Sequence, residues 1–132
     1  MRIKDDFVTN SSTTSFIVWG ISTDLGELKK NKKAMDAVYG MYLSKEKGEI
    51  VTREELINEQ WEFYNWLETV LSEYGLEVAM SQYNDDVIYI GINPFEIGDD
   101  ETGLQFKMRV KNALDELDIP GEPGRIDEAW YG

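Results

Sequence analysis

Five hydroxyl side chains in a row, Ser11, Ser12, Thr13, Thr14 and Ser15, stand directly before an apolar run from Phe16 to Ile21. Hydroxyls and backbone amides crowded in this way can form a concavity that holds a phosphate. Each hydroxyl is also an acceptor for phosphorylation. Ser11, Ser12, Thr13 and Ser15 are therefore candidates for a phosphate- or nucleotide-binding module. The tract has neither the glycine spacing nor the Gly-Lys-Ser/Thr end of a P-loop. The plainer reading is a polar loop whose hydroxyls satisfy nearby backbone groups ahead of a buried strand.

The longer stretch from Asp6 to Phe16 reads Asp-Phe-Val-Thr-Asn-Ser-Ser-Thr-Thr-Ser-Phe. It resembles the head segment of many small bacterial and phage proteins, of the form Asp-Phe-Val-Thr-Asn-Ser-Ser-Ser-x-Ser-Phe. Thr13 and Thr14 stand where serine is mostly expected, which leaves the hydroxyl pattern intact. The likeness covers a short part of the 132 residues and brings no activity or site residue with it. What it implies is a phage-borne or bacterial accessory protein.

A second group with chemistry in it is Asp99, Asp100 and Glu101. With Asp5 or Asp6 these carboxylates could hold Mg²⁺, and paired carboxylate sites of that kind serve phosphoryl chemistry. That makes a small Mg-dependent hydrolase or nuclease the enzymatic alternative. The plainer reading is that acidic residues ahead of a helix complement its positive end. No 12-residue EF-hand loop is present.

The chain has no cysteine and no histidine. Disulfides and thiolate or imidazole metal sites are thereby excluded, as is any nucleophilic system that relies on a histidine base. Acid–base work would fall on a carboxyl, a lysine or a tyrosine with a shifted pKa. No cofactor is expected, and no catalytic residue stands out.

Net charge is −13 and unevenly spread. Residues 1–53 carry 9 basic and 7 acidic side chains, a balance of +2. Residues 54–132 carry 4 and 19, a balance of −15. Such a surface repels phosphate backbones, whose binding rests on lysine and arginine, so direct nucleic-acid contact is not expected. A protein partner, basic where it touches the chain, is. Lys29, Lys30, Lys32 and Lys33 form one cluster of opposite sign, read as a solvated helix face.

Trp61, Tyr64, Trp66 and Trp130 are the aromatic candidates for a partner surface, because tryptophan and tyrosine dominate interface hot spots. A second copy of the chain is one such partner, giving a homodimer. Aromatics at helical spacing also make plain core, and that is the competing reading.

These residues need elements to carry them. Phe16 to Ile21 is apolar on both faces and reads as a central strand. Asp24 with Glu27 starts a helix over about residues 25–43, aligning Leu28, Met35, Val38, Tyr39 and Tyr42. Thr52 and Glu55 form a capping box and Gly75 a stop, predicting one helix about 33 Å long between them. Its stripe runs Ile57, Trp61, Tyr64, Leu67, Leu71 and Tyr74, with Leu56, Phe63, Trp66 and Val70 widening the apolar arc. Leu76, Val78 and Met80 alternate with Glu77, Ala79 and Ser81 as a half-buried strand. Asn84 to Asp86 turns it into Val87–Ile92, and Pro94 ends the hairpin. Thr102 and Gln105 cap a last helix carrying Phe106, Val110, Ala113, Leu114 and Leu117, closed by Pro120. Arg125 to Tyr131 reads as a short edge strand or a helical turn.

The order predicts an α+β fold: three or four mainly antiparallel strands with about three helices packed on one face. One domain over residues 1–132 fits the length. No apolar run approaches membrane-spanning length and no secretory signal is visible, so the expectation is a cytoplasmic protein. The functional expectation is a non-enzymatic acidic accessory protein that docks on a protein partner, in its sharper form by imitating nucleic-acid charge.

Overall fold

The computed structural model describes the backbone of residues 2–3 and 13–131, and the side chains of residues 16–128. In chain order the elements are β1 (Arg2–Ile3), β2 (Thr13–Asp24), α1 (Leu25–Lys29), α2 (Lys32–Lys45), α3 (Arg53–Asn58) and α4 (Gln60–Glu73). Then follow β3 (Glu77–Met80), β4 (Val87–Ile92), a 3₁₀ turn (Pro94–Glu96), α5 (Gly103–Glu116) and β5 (Gly124–Tyr131). The fold is α+β, and every strand pairing is antiparallel. β2 lies between β5 on one edge and β4 on the other, and β3 flanks β4. The two-residue β1 pairs with β2 at Ser15 and Phe16. The tail is thus an edge strand of eight residues.

The start and stop signals act as their chemistry requires. Asp24 accepts from the Gly26 and Glu27 amides. Both capping boxes close, Thr52 with Glu55 and Thr102 with Gln105, and Gly75 takes the left-handed conformation (φ 79°) past the end of α4 that glycine adopts without strain.

Two helices expected to be continuous are each broken. The first breaks at Lys30–Asn31, where Asn31 caps α2 through Ala34 N while its Nδ2 donates to the Leu117 and Asp118 carbonyls, both at 3.0 Å. That tie fixes the end of α5, where Asp118 is left-handed (φ 55°), so α5 stops well before Pro120. The second breaks at Glu59, whose extended backbone (ψ 101°) separates α3 from α4. The break rotates the stripe: α4 buries Phe63, Leu67, Val70 and Leu71, not the Trp61–Tyr64–Tyr74 line. Among the described residues no helix is long and apolar enough to cross a membrane.

One sheet face carries Ile21, Val78, Ile88, Ile90 and Ile92, joined with side chains of all five helices in a single main core. The other face is lined by Phe16, Val18 and Ala79, with Tyr89 and Ile126 against them. β2 bends sharply. Trp19 and Gly20 are the positions paired with both β4 and β5; the strand runs with β5 before them and with β4 after them. Gly20 faces Gly91 there, and a Cβ on either would strike the opposite backbone, Ile90 O or Trp19 O. Because the bend folds that face inward, Ala79 is buried and β3 shows no clean alternation.

Candidate functional site

The feature with the most concentrated chemistry is a cleft of about 520 Å³ between the end of α2, the following loop and the α3–α4 junction. Its lining is Tyr42, Glu46, Glu49, Val51, Glu55, Leu56, Asn58, Glu59 and Glu62. Five glutamates face it, and no lysine or arginine belongs to the lining. Tyr42, Val51 and Leu56 make an apolar floor.

The local sequence builds this cleft in three steps. Tyr39 stacks on Tyr42 with ring centroids 5.8 Å apart, and Tyr42 meets the edge of Trp66 at 5.7 Å. Their hydroxyls then hold the loop after α2. Tyr39 donates to the Val51 carbonyl (2.9 Å), while Tyr42 donates to the Glu49 carbonyl (3.3 Å) and accepts from Val51 N (3.0 Å). Finally, the kink at Glu59 turns α4 away from α3 and opens the space between them.

The five carboxylates are not equivalent. Glu55 accepts from Thr52 N at 2.9 Å, and these bonds to Thr52 hold its carboxyl below the usual range. Glu46 accepts from the Lys47 and Gly48 amides at 3.0 and 2.9 Å. Glu49, Glu59 and Glu62 are exposed and make no ion pair among the described residues. Glu55, Glu59 and Glu62 follow helical spacing, i, i+4 and i+7. Like charges so placed oppose helix formation, and that was the one available sequence signal for this site. In the sequence only Glu55 of the five stands out, and as a helix cap, not as a site residue.

The residues singled out from sequence fall elsewhere. Ser11 and Ser12 lie outside the described residues. Thr13 and Ser15 are in β2, where only the backbone is described, and Trp130 is likewise known only as a position in β5. Trp61 is 66% exposed, on the helix that supplies Glu62 to the cleft. Tyr64 is half-buried, its hydroxyl 3.4 Å from the Val78 carbonyl, and Trp66 packs on Tyr42 against the main core.

The Asp99–Asp100–Glu101 group does not act as a unit. Glu101 turns back to Arg109, which donates Nη2 to Oε1 (2.8 Å) and Nε to Oε2 (2.9 Å); the Glu101 carboxylate also accepts from Gly98 N at 2.9 Å. Arg109 first, then the Gly98 amide, hold the Glu101 carboxyl down at about 2. Arg109 also donates to the Glu96 carbonyl at 3.2 Å, pinning the loop to α5. Asp99 and Asp100 are exposed, and Asp100 lines a shallow open cavity with Glu101 and Arg109. Among the described residues no three acidic side chains are grouped to hold a metal ion. The lysine cluster is largely spent in place: Lys30 pairs with Glu27 (3.4 Å), Lys32 with Asp36 (2.9 Å), and Lys29 lies 5.1 Å over the Phe63 ring. Asp36 also binds Arg53.

No family model, curated protein or solved structure matches this chain.

Proposed function

We propose that this chain is a non-enzymatic accessory protein that acts by occupying a basic surface of a protein partner, with the cleft of Glu46, Glu49, Glu55, Glu59 and Glu62 as its contact. One observation carries the reading: five carboxylates share a cleft with no cationic lining, and none of the five makes an ion pair among the described residues. Clustered like charge costs folding stability; a partner that supplies the missing cations relieves that cost. The apolar floor of Tyr42, Val51 and Leu56 suits the aliphatic stem of a lysine or arginine whose head reaches the carboxylates. An arginine fork makes the stronger, bidentate contact. Trp61, beside the cleft on α4, supplies an exposed aromatic anchor.

The charge of residues 54–132 steers the chain toward such a partner and speeds the encounter at low salt. A protein whose own ligand is a nucleic-acid backbone has a matching surface, and competition for that surface is the sharper form of the proposal. The head segment's likeness to phage and bacterial chains supports an accessory role.

Titration calorimetry with a short arginine- and lysine-rich peptide carrying one aromatic residue tests this. Saturable binding is expected, weakened steeply as ionic strength rises past about 0.1 M and lost in the Glu49→Gln/Glu59→Gln/Glu62→Gln variant. Equal binding by the variant and the parent chain would refute the site.

A further inference from the structure

The inward face of the sheet is held shut by contacts between residues far apart along its ladder. Phe16 lies six residues before Ser22, the partner of Tyr89, a separation of about 20 Å along a straight strand. The Phe16 and Tyr89 rings nevertheless stack with centroids 6.1 Å apart. The bend at Gly20 therefore divides the sheet in two. One half is the start of β2 with β5; the other is the end of β2 with β4 and β3.

The two halves are anchored unequally. Among the described residues, none from β5 and none of β2 before Trp19 belongs to the main core. The first half is a flap, and among the described residues the β2 backbone, the small Phe16–Val18–Ala79 cluster and a polar knot tie it to the second half. That knot is the Glu128 carboxylate on β5. It accepts from the Ser81 hydroxyl (3.0 Å), the Gln82 amide (2.9 Å) and the Tyr89 hydroxyl (2.8 Å). All three donors lie across the bend. Ser81 Oγ in turn accepts from Tyr83 N at 3.1 Å, extending the network along the hairpin. Burial, with Glu128 alongside, pushes the Tyr89 phenol up and keeps it a donor.

At the bend itself no side chain stands between the strands, because Gly20 faces Gly91. A hinge without side chains, a flap outside the main core and a carboxylate bridging the gap make a coherent device. We propose that Glu128 is the latch of this device: releasing its carboxylate lets the two halves part about Gly20 and Gly91 and bares the apolar lining of Phe16, Val18 and Tyr89.

Hydrogen–deuterium exchange on the full chain tests the latch. In Glu128→Ala, amides of residues 13–18 and 124–131 are expected to exchange at least about tenfold faster, the order set by losing charge-assisted hydrogen bonds. Amides of α4 and α5 should keep their parent rates, and binding of an apolar dye should rise. Asp127→Ala is the control, since among the described residues that carboxylate holds only Arg125 of its own strand, at 3.0 Å; flap exchange should not change. If Glu128→Ala does not fold, Tyr89→Phe, which deletes one donor, should show the same regional pattern at smaller size. Acceleration spread evenly over α5 and the flap, no acceleration at all, or an equal response in the control would overturn the proposal.

Discussion

Two acidic regions of this molecule treat their charge in opposite ways. In the loop before α5, Glu101 is gripped by Nε and Nη2 of Arg109 and by a backbone amide, which hold its carboxyl down at about 2. That carboxylate ties the loop to the helix. In the cleft at the α3–α4 junction, Glu49, Glu59 and Glu62 line the walls with no cation in the lining. The contrast separates charge used for holding the fold from charge left over for a partner. A count of acidic residues does not make that separation; the placement of Arg109 does.

Breaking the contrast at the cleft gives the largest expected effect. Glu49→Lys/Glu59→Lys/Glu62→Lys should weaken binding of the basic peptide at least about 100-fold, since like charges across a contact cost several kcal/mol. Asp99→Lys/Asp100→Lys reverses charge in the loop and should change the same calorimetric affinity by less than about threefold. If the loop reversal matters as much, general acidity and not the cleft governs binding.

A smaller effect separates the regions by pH. The depressed carboxyl of Glu101 contributes stability that is fully present above its ordinary value of 4.5 and is lost as pH falls through about 2. Denaturant unfolding of Glu101→Gln should therefore show a deficit at neutral pH that disappears near pH 2. The cleft variant Glu49→Gln/Glu59→Gln/Glu62→Gln should show no such deficit at neutral pH and be at least as stable as the parent chain, because it removes clustered like charge.

Trp61→Ala, at a side chain 66% exposed, should leave the unfolding free energy within about 0.5 kcal/mol while lowering peptide affinity in the same calorimetric assay. Loss of stability instead would place Trp61 in the core reading. Smallest of all, Gly40→Ala in α2, where an added Cβ meets nothing within 4 Å, should raise thermal stability by about 0.5–1 kcal/mol. It should leave binding unchanged, because the cleft wall is already set by Tyr39 and Tyr42.

What could be read from sequence was the locally encoded part. The capping boxes at Thr52 and Thr102, the Asp24 cap, the hairpin turn and the Gly75 stop all rest on residues within a few positions of one another. The break at Lys30–Asn31 depends on distant partners instead. Asn31 is held by carbonyls 86 and 87 residues away, which no window along the chain contains. The cleft is hidden for the same reason: Glu46 and Glu49 sit in the half with a balance of +2, and only folding brings them to Glu59 and Glu62. Glu101 reads as one of three equivalent acids until Arg109, eight residues on, singles it out. Glu128 reads as a polar residue on an edge strand until the bend at Gly20 carries it to Ser81 and Tyr89.

The most direct measurement is an amide chemical-shift map of the chain titrated with the arginine- and lysine-rich peptide. Saturable shifts concentrated in residues 46–62, with residues 96–109 left nearly unmoved, are the predicted result. Shifts centred on residues 96–109, or spread over the acidic surface without saturation, would contradict the cleft as the docking site.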